Sequence, residues 1–179
     1  DTRINATLPT IRYALGQKAR VILASHRGRP KGQYDPKYSM HPIGERLAQL
    51  LGDVDLIMPE NCVGDAVRKL IHDLEPGKII LLENLRFEPG EEANDPQFAK
   101  QLADHIDVYI NDAFGTAHRA HASTVGMLPY VPEKGAGFLM RRELNYLSKV
   151  TANPERPFVA ILGGAKISDK VDAVNNLLK

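Results

Sequence analysis

Short apolar runs alternate with stretches of helical periodicity along most of the chain. Arg20-Val21-Ile22-Leu23-Ala24 reads as a buried strand, and a Gly/Pro-rich loop over 28–36 follows it. Ile43, Leu47, Leu50 and Leu51 recur at helical spacing, with Ser39 placed to cap the start and Gly52 the end. Residues 54–58 predict a second strand, and 65–74 a helix with Ala66, Leu70, Ile71 and Leu74 turned inward. Lys78-Ile79-Ile80-Leu81-Leu82 predicts a third strand, whose continuous apolar run implies burial on both faces. Asp95-Pro96 opens a helix reaching His105, and 107–110 predicts a fourth strand.

Near the N-terminus, Ile4, Leu8, Ile11 and Leu15 form a helical stripe, but Pro9 inside it predicts a break or a fresh start. Residues 138–150 read as a long helix carrying Leu139, Leu144 and Leu147. The polar, two-proline stretch 151–157 is the best linker. After it come a predicted strand over 157–162, a Gly163-Gly164 turn and a terminal helix. The alternation predicts an α/β architecture, a doubly wound, Rossmann-like parallel sheet with right-handed crossovers. The expected domains are residues 1–150, the linker 151–157, and the first strand and helix of a second domain over 158–179. The sequence lacks an initiator methionine, and the terminal stripe of Val171, Val174, Leu177 and Leu178 meets no stop signal. A piece of a longer chain is therefore expected.

Composition narrows the chemistry. The 179 residues carry 23 basic and 22 acidic side chains, a net charge of +1, so nucleic-acid binding through bulk positive potential is excluded. Aromatic residues, at 6%, are not interleaved with the arginines as a single-strand-binding surface would require. No apolar run approaches the roughly 20 residues of a membrane helix, and no signal-peptide pattern opens the chain. Cys62, the single cysteine, can form no internal disulfide and has no evident base partner. These features fit a soluble protein of a reducing compartment.

In an open α/β sheet, ligands bind beyond the carboxyl ends of the strands. Three such ends deliver Ser25-His26-Arg27-Gly28-Arg29, Glu83-Asn84-Leu85-Arg86 and the run 111–121, which contains His118, Arg119 and His121. Guanidinium forks converging on one rim suit a small, highly charged anion, phosphate or carboxylate. Any single arginine is as well explained by solvation, or by pairing with Glu83, Asp112, Glu88, Glu91 or Glu92. Three strand ends together are not. His26, His118 and His121 stand beside arginines, which disfavour a bound cation, so anion contact is the better reading and no metal site is expected. A second centre, Gly163-Gly164-Ala165-Lys166-Ile167-Ser168-Asp169-Lys170, joins a strand to a helix start, where phosphate is favoured. It lacks the order of a Walker A loop.

Taken in order, Ser25-His26-Arg27-Gly28-Arg29-Pro30, Leu82-Glu83-Asn84-Leu85-Arg86-Phe87, the run from Asn111 to His121 and Ile161-Leu162-Gly163-Gly164-Ala165-Lys166 resemble phosphoglycerate kinase. Gly137-Phe138-Leu139-Met140 and Asn145-Tyr146 are similar to that family too. The resemblance implies the first domain of a two-domain hinge enzyme of glycolysis, cytoplasmic and a monomer when full length. Its implied partners are small molecules, with neither nucleic acid nor membrane among them. Phosphoryl would pass reversibly from 1,3-bisphosphoglycerate to ADP, giving 3-phosphoglycerate and ATP, with Mg2+ entering as Mg-ADP or Mg-ATP.

On that resemblance His26, Arg27, Gly28, Arg29, Arg86 and Arg119 would form the glycerate site. Arg3 would reach both substrate and transferring phosphoryl. Lys166 would face Arg3 as its catalytic counterpart, and Gly163, Gly164, Ala165, Lys166 and Lys170 would contact nucleotide. Arg27 departs from the family pattern, which more often has an apolar residue there. The family's first strand, with an aspartate and an asparagine at the glycerate, is expected before Asp1. The magnesium-binding aspartate is expected after Lys179, so this length of chain should not catalyse alone. A non-catalytic anion-binding module is the competing expectation, separated from the first by the chain's natural ends.

Overall fold

Strand β3 (Ile79–Leu81) organises the fold, because all three of its residues are buried and its side chains alternate between two cores. The computed structural model describes residues 1–152, 156–159, 161, 171, 174 and 175. In chain order the elements are α1 (Thr2–Gly16), β1 (Val21–Leu23), α2 (His41–Leu51), β2 (Leu56–Ile57), α3 (Asp65–Asp73), β3, α4 (Pro89–Glu92), α5 (Pro96–Leu102), β4 (Val108–Asn111), β5 (Glu133–Ala136) and α6 (Phe138–Ala152). Two compact units divide the chain, Asp1–Met140 and Arg141–Lys179.

The first unit is the α/β domain expected from the alternation. β1, β3 and β2 form a parallel sheet in that spatial order, with Val21 opposite Ile79 and Leu56 opposite the same residue. Ile79 points into a core built by Leu8 and Ile11 of α1, Val21, and Leu47 of α2. Ile80 points the other way, toward Val67 of α3, Leu74 just after it, and Phe98, Ala99 and Leu102 of α5. Helices thus cover both faces, which is why β3 reads as an unbroken apolar run. Gly44 lets α2 approach the sheet, since a Cβ there would collide with the Met58 sulfur. β4 and β5 form a second parallel pair, Val108 opposite Glu133 through Asn111 opposite Ala136.

Several local expectations are corrected. Pro9 does not break the first helix: α1 runs unbroken through it, with Leu8 and Ile11 buried. Pro9 and Asn5 lie on the exposed face, where solvent can serve the Asn5 carbonyl that a residue-9 N–H would have bonded. The inward stripe of α3 is Val67, Leu70, Ile71 and Leu74 rather than one starting at Ala66, which is exposed. Ser39 does not cap α2 alone. Its hydroxyl accepts from the His41 N–H at 3.2 Å, while Glu83 accepts from the Met40 N–H and the Ser39 hydroxyl, each at 2.7 Å. α5 stops at Leu102, short of His105, whose φ of 62° lies outside helical space.

Asp95 does cap α5, accepting from the Phe98 N–H at 2.8 Å. β5, Glu-Lys-Gly-Ala with all four residues exposed, carries no apolar signal and was not anticipated. In the second unit, α6 extends to Ala152. The described part of the predicted strand, 157–159 and 161, is not in a strand, and residues 171, 174 and 175 are helical. Among the described residues no helix is long and apolar enough to cross a membrane.

Ile80 is fully buried between helices and sheet. Ile80→Ala should therefore lower unfolding free energy by about 2–5 kcal/mol in denaturant titrations. A loss under about 0.5 kcal/mol would mean that β3 is not the centre of the core.

Candidate anion-binding site

The rim beyond β1 and β3 is fixed by two consecutive buried residues. Glu83, 8% exposed, ties the segment after β3 to the start of α2 through Ser39 and Met40, and accepts from the Asn84 N–H at 2.7 Å. Asn84, fully buried, donates to the carbonyls of Arg27 at 2.7 Å and Tyr38 at 2.9 Å. Its own carbonyl accepts from the N–H groups of Arg27 at 3.2 Å and Arg86 at 3.1 Å. All of its amide hydrogen-bonding capacity is thus used to hold the loop after β1 against the turn after β3.

Arg86 follows on the short 3-10 turn Leu85–Phe87 and is only 4% exposed. Its Nη1 donates to the Gly28 carbonyl at 2.8 Å. Gly28 has φ of 66°, and a Cβ would run into the Tyr38 ring, so glycine is required for the carbonyl to reach the guanidinium. Glu92, at the end of α4, places its carboxylate 3.1 Å from Arg86 Nε.

The third strand end supplies Arg119 and His121. The Thr124 hydroxyl donates to the Arg119 carbonyl at 2.6 Å and accepts from the His121 N–H at 3.1 Å, fixing the bend between them. The following π turn, Ala122–Gly126, is anchored by Glu91, which is 3% exposed. Glu91 accepts from the Ser123 hydroxyl at 2.6 Å and the Ser123 N–H at 3.0 Å, and lies 3.7 Å from His121 Nδ1. Adjacent carboxylates of α4 therefore face the turn after Arg119 and the guanidinium of Arg86.

His26 reports that these pieces meet. Burial, first, and then the charges of Arg86, Arg119 and His121 lower its pKa from 6.5 to about 4, with Glu92 opposing them. The imidazole is thus neutral near pH 7 inside a cluster of cations. The structure gathers His26, Arg86, Arg119 and His121, with Gly28 as a backbone support. Arg29 is exposed on the same loop, and the Arg27 guanidinium turns to the Ser39 carbonyl at 3.2 Å. Arg3 sits exposed on the first turn of α1 and is not among the charges that act on His26. Gly163, Gly164, Ala165, Lys166 and Lys170 lie outside the described residues.

Of the carboxylates weighed as partners for rim arginines, only Glu92 pairs with one of them among the described residues. Glu83 serves α2, and Asp112 accepts from the Met140 N–H at 3.1 Å at the start of α6. Sequence reasoning missed Asn84 and Glu91 as organisers of the site. The signal for Asn84 was its place between a double-faced buried strand and an arginine. Cys62 donates to the Glu83 carbonyl at 3.1 Å, and burial followed by nearby carboxylates pushes its thiol pKa well up, leaving it unreactive. A neighbouring cleft of about 140 Å3 is lined by Glu60, Glu83 and Glu88, the wrong sign for an anion. Among the described residues no three or more histidine, cysteine or carboxylate side chains are grouped as a metal site would group them.

A family model described as phosphoglycerate kinase matches residues 1–179. The phosphoglycerate kinase of Anaeromyxobacter sp. (strain Fw109-5) is 56% identical over 180 residues, covering 99% of this chain and 45% of that protein. That of Geotalea uraniireducens (strain Rf4) is 55% identical over 177 residues, covering 99% of this chain and 44% of that protein. Among solved structures, the phosphoglycerate kinase from Coxiella burnetii matches with a TM-score of 0.84 at 41% identity, over 99% of this chain and 44% of that one. The enzyme from Pyrococcus horikoshii OT3 matches with a TM-score of 0.83 at 35% identity, over 99% of this chain and 45% of that one. The chain thus spans a little under half the length of these relatives. Matched by the family model from its first residue to its last, and folded as solved members are, the chain belongs to the phosphoglycerate kinase family.

Proposed function

We propose that this chain is the glycerate-binding part of a phosphoglycerate kinase. The observation that carries the reading is the buried Arg86 guanidinium, held by the Gly28 carbonyl of the loop after β1, with the Arg86 and Arg119 charges both acting on His26. Such an array suits the phosphate and carboxylate of 3-phosphoglycerate, with Arg29 and Arg27 reaching the ligand from the exposed loop. In the reaction, a terminal phosphate oxygen of ADP forms a bond to the acyl phosphorus of 1,3-bisphosphoglycerate. The bond from that phosphorus to the carboxylate of 3-phosphoglycerate breaks. Transfer of this kind is promoted by positioning and charge neutralisation, the work guanidinium groups do well. Arg3 would steady the phosphoryl group in transit, opposite Lys166. Gly163, Gly164, Ala165 and Lys170 would hold nucleotide, and magnesium would arrive with it, held from beyond the described residues. A domain boundary within 151–157, a monomeric full-length protein and a cytoplasmic location complete the proposal.

Binding is the direct test. 3-Phosphoglycerate should bind with strong salt dependence, and Arg29→Ala or Arg86→Ala should weaken it by more than about tenfold in calorimetry. Unchanged affinity in both variants would remove the assignment. By NMR, the free His26 imidazole should titrate at about 4 and move upward when 3-phosphoglycerate is added. A free-state titration near 6.5 would contradict the cationic cluster. The unfolded chain binds this proton first, so His26 should erode stability as pH falls from about 6.5 to about 4, and His26→Gln should remove that slope. In the full-length enzyme, Arg3→Ala and Lys166→Ala should depress kcat far more than they raise KM. Wild-type turnover in either variant would end that residue's role.

A further inference from the structure

Arg86 offers two hydrogen-bonding edges, and only one is committed. Nη1 serves the Gly28 carbonyl, whereas Nε and Nη2, which form the side-on fork, are buried without a hydrogen-bond partner. That fork matches two oxygens of one phosphate or carboxylate. Glu92 is already there, 3.1 Å from Nε, yet out of line with the N–H bond, so it neutralises charge without a hydrogen bond. The Glu92 side chain is 44% exposed, while that of its neighbour Glu91 is 4% exposed and fixed by Ser123. One carboxylate is anchored, and the next lies at the edge of a buried cation with its side chain partly open to solvent.

We propose that Glu92 is a resident counter-ion for Arg86, held beside the Nε edge of the Nε–Nη2 fork and displaced from it by the incoming anion. The inference rests on the glycerate-binding reading and adds a residue that sets its affinity and selectivity. A buried guanidinium with no compensating charge is strongly unfavourable, so Glu92 keeps Arg86 in place, ready to bind, before the ligand arrives. The ligand must then displace a carboxylate. A multiply charged phosphorylated acid can do so, whereas a weakly charged one competes poorly. Glu92 also opposes the other charges acting on His26, so it is close enough to act on the cluster and not on Arg86 alone.

The test is a calorimetric titration of 3-phosphoglycerate at low salt into the full-length protein and four variants of it: Glu92→Gln, Glu92→Ala, Arg86→Ala and the double variant Arg86→Ala/Glu92→Gln. Both Glu92 variants should bind about three- to tenfold more tightly than the parent, and the gain should vanish on the Arg86→Ala background. Repeating the titration with inorganic phosphate tells which group takes the fork: the gain persists if it is the phosphate and disappears if it is the carboxylate. Affinity unchanged or weakened in both Glu92 variants, with Arg86→Ala still impaired, overturns the role of Glu92 and leaves the glycerate reading standing. An Arg86→Ala variant that binds normally overturns the role of Glu92, and a full-length parent that fails to bind 3-phosphoglycerate overturns the glycerate reading as well.

Discussion

The constraint on which the site depends is the burial of one permanent charge. Arg86 is 4% exposed, and a guanidinium cannot shed its proton to escape the desolvation penalty. Everything around it answers that demand. The Gly28 carbonyl takes one edge, Glu92 neutralises the other, and Asn84 fixes the backbone from which the side chain projects. Because Asn84 binds both the Arg27 and the Arg86 backbone, the loop after β1 and the turn after β3 behave as one piece. Glu91 then joins the turn after Arg119 to the same helical segment, so the rim is cross-braced by hydrogen bonds rather than by its cations, which repel one another.

That arrangement explains the state of His26. Half-buried and surrounded by cations, its imidazole gives up its proton well below the ordinary range, with a pKa of about 4. A neutral imidazole can donate one hydrogen bond to an anionic oxygen without adding to the repulsion among the neighbouring cations. Binding an anion would reverse the balance and favour the charged form. The sheet supplies the rigidity this needs, since β3 is packed on both faces and carries Glu83, Asn84 and Arg86 at its exit.

The sequence was legible where one physical signal dominated. Continuous apolar runs marked β1 and β3, and Asp95-Pro96 marked the start of α5. Arginine and histidine after strand ends pointed to the rim that we propose binds the glycerate. It was misleading at Pro9, because propensity weighs the lost hydrogen bond but cannot see that the affected carbonyl faces solvent while Leu8 and Ile11 are buried. β5 was invisible because an exposed edge strand of Glu-Lys-Gly-Ala needs no apolar alternation. Asn84 and Glu91 were hidden for another reason. Their roles lie in bonds to residues 32 to 57 positions away, which no local pattern records. Carboxylates at 83, 91 and 92 were all candidates for pairing with arginine, and only packing separates the three fates they meet.

The central claim is that three strand ends form one anion site. It is tested most directly by mapping backbone amide shifts as 3-phosphoglycerate is titrated into the isotopically labelled chain. The account predicts that the amides of His26 to Arg29, Asn84 to Phe87 and Arg119 to His121 move together along a single saturating curve. Shifts confined to one of these segments, or appearing only elsewhere in the domain, would contradict it.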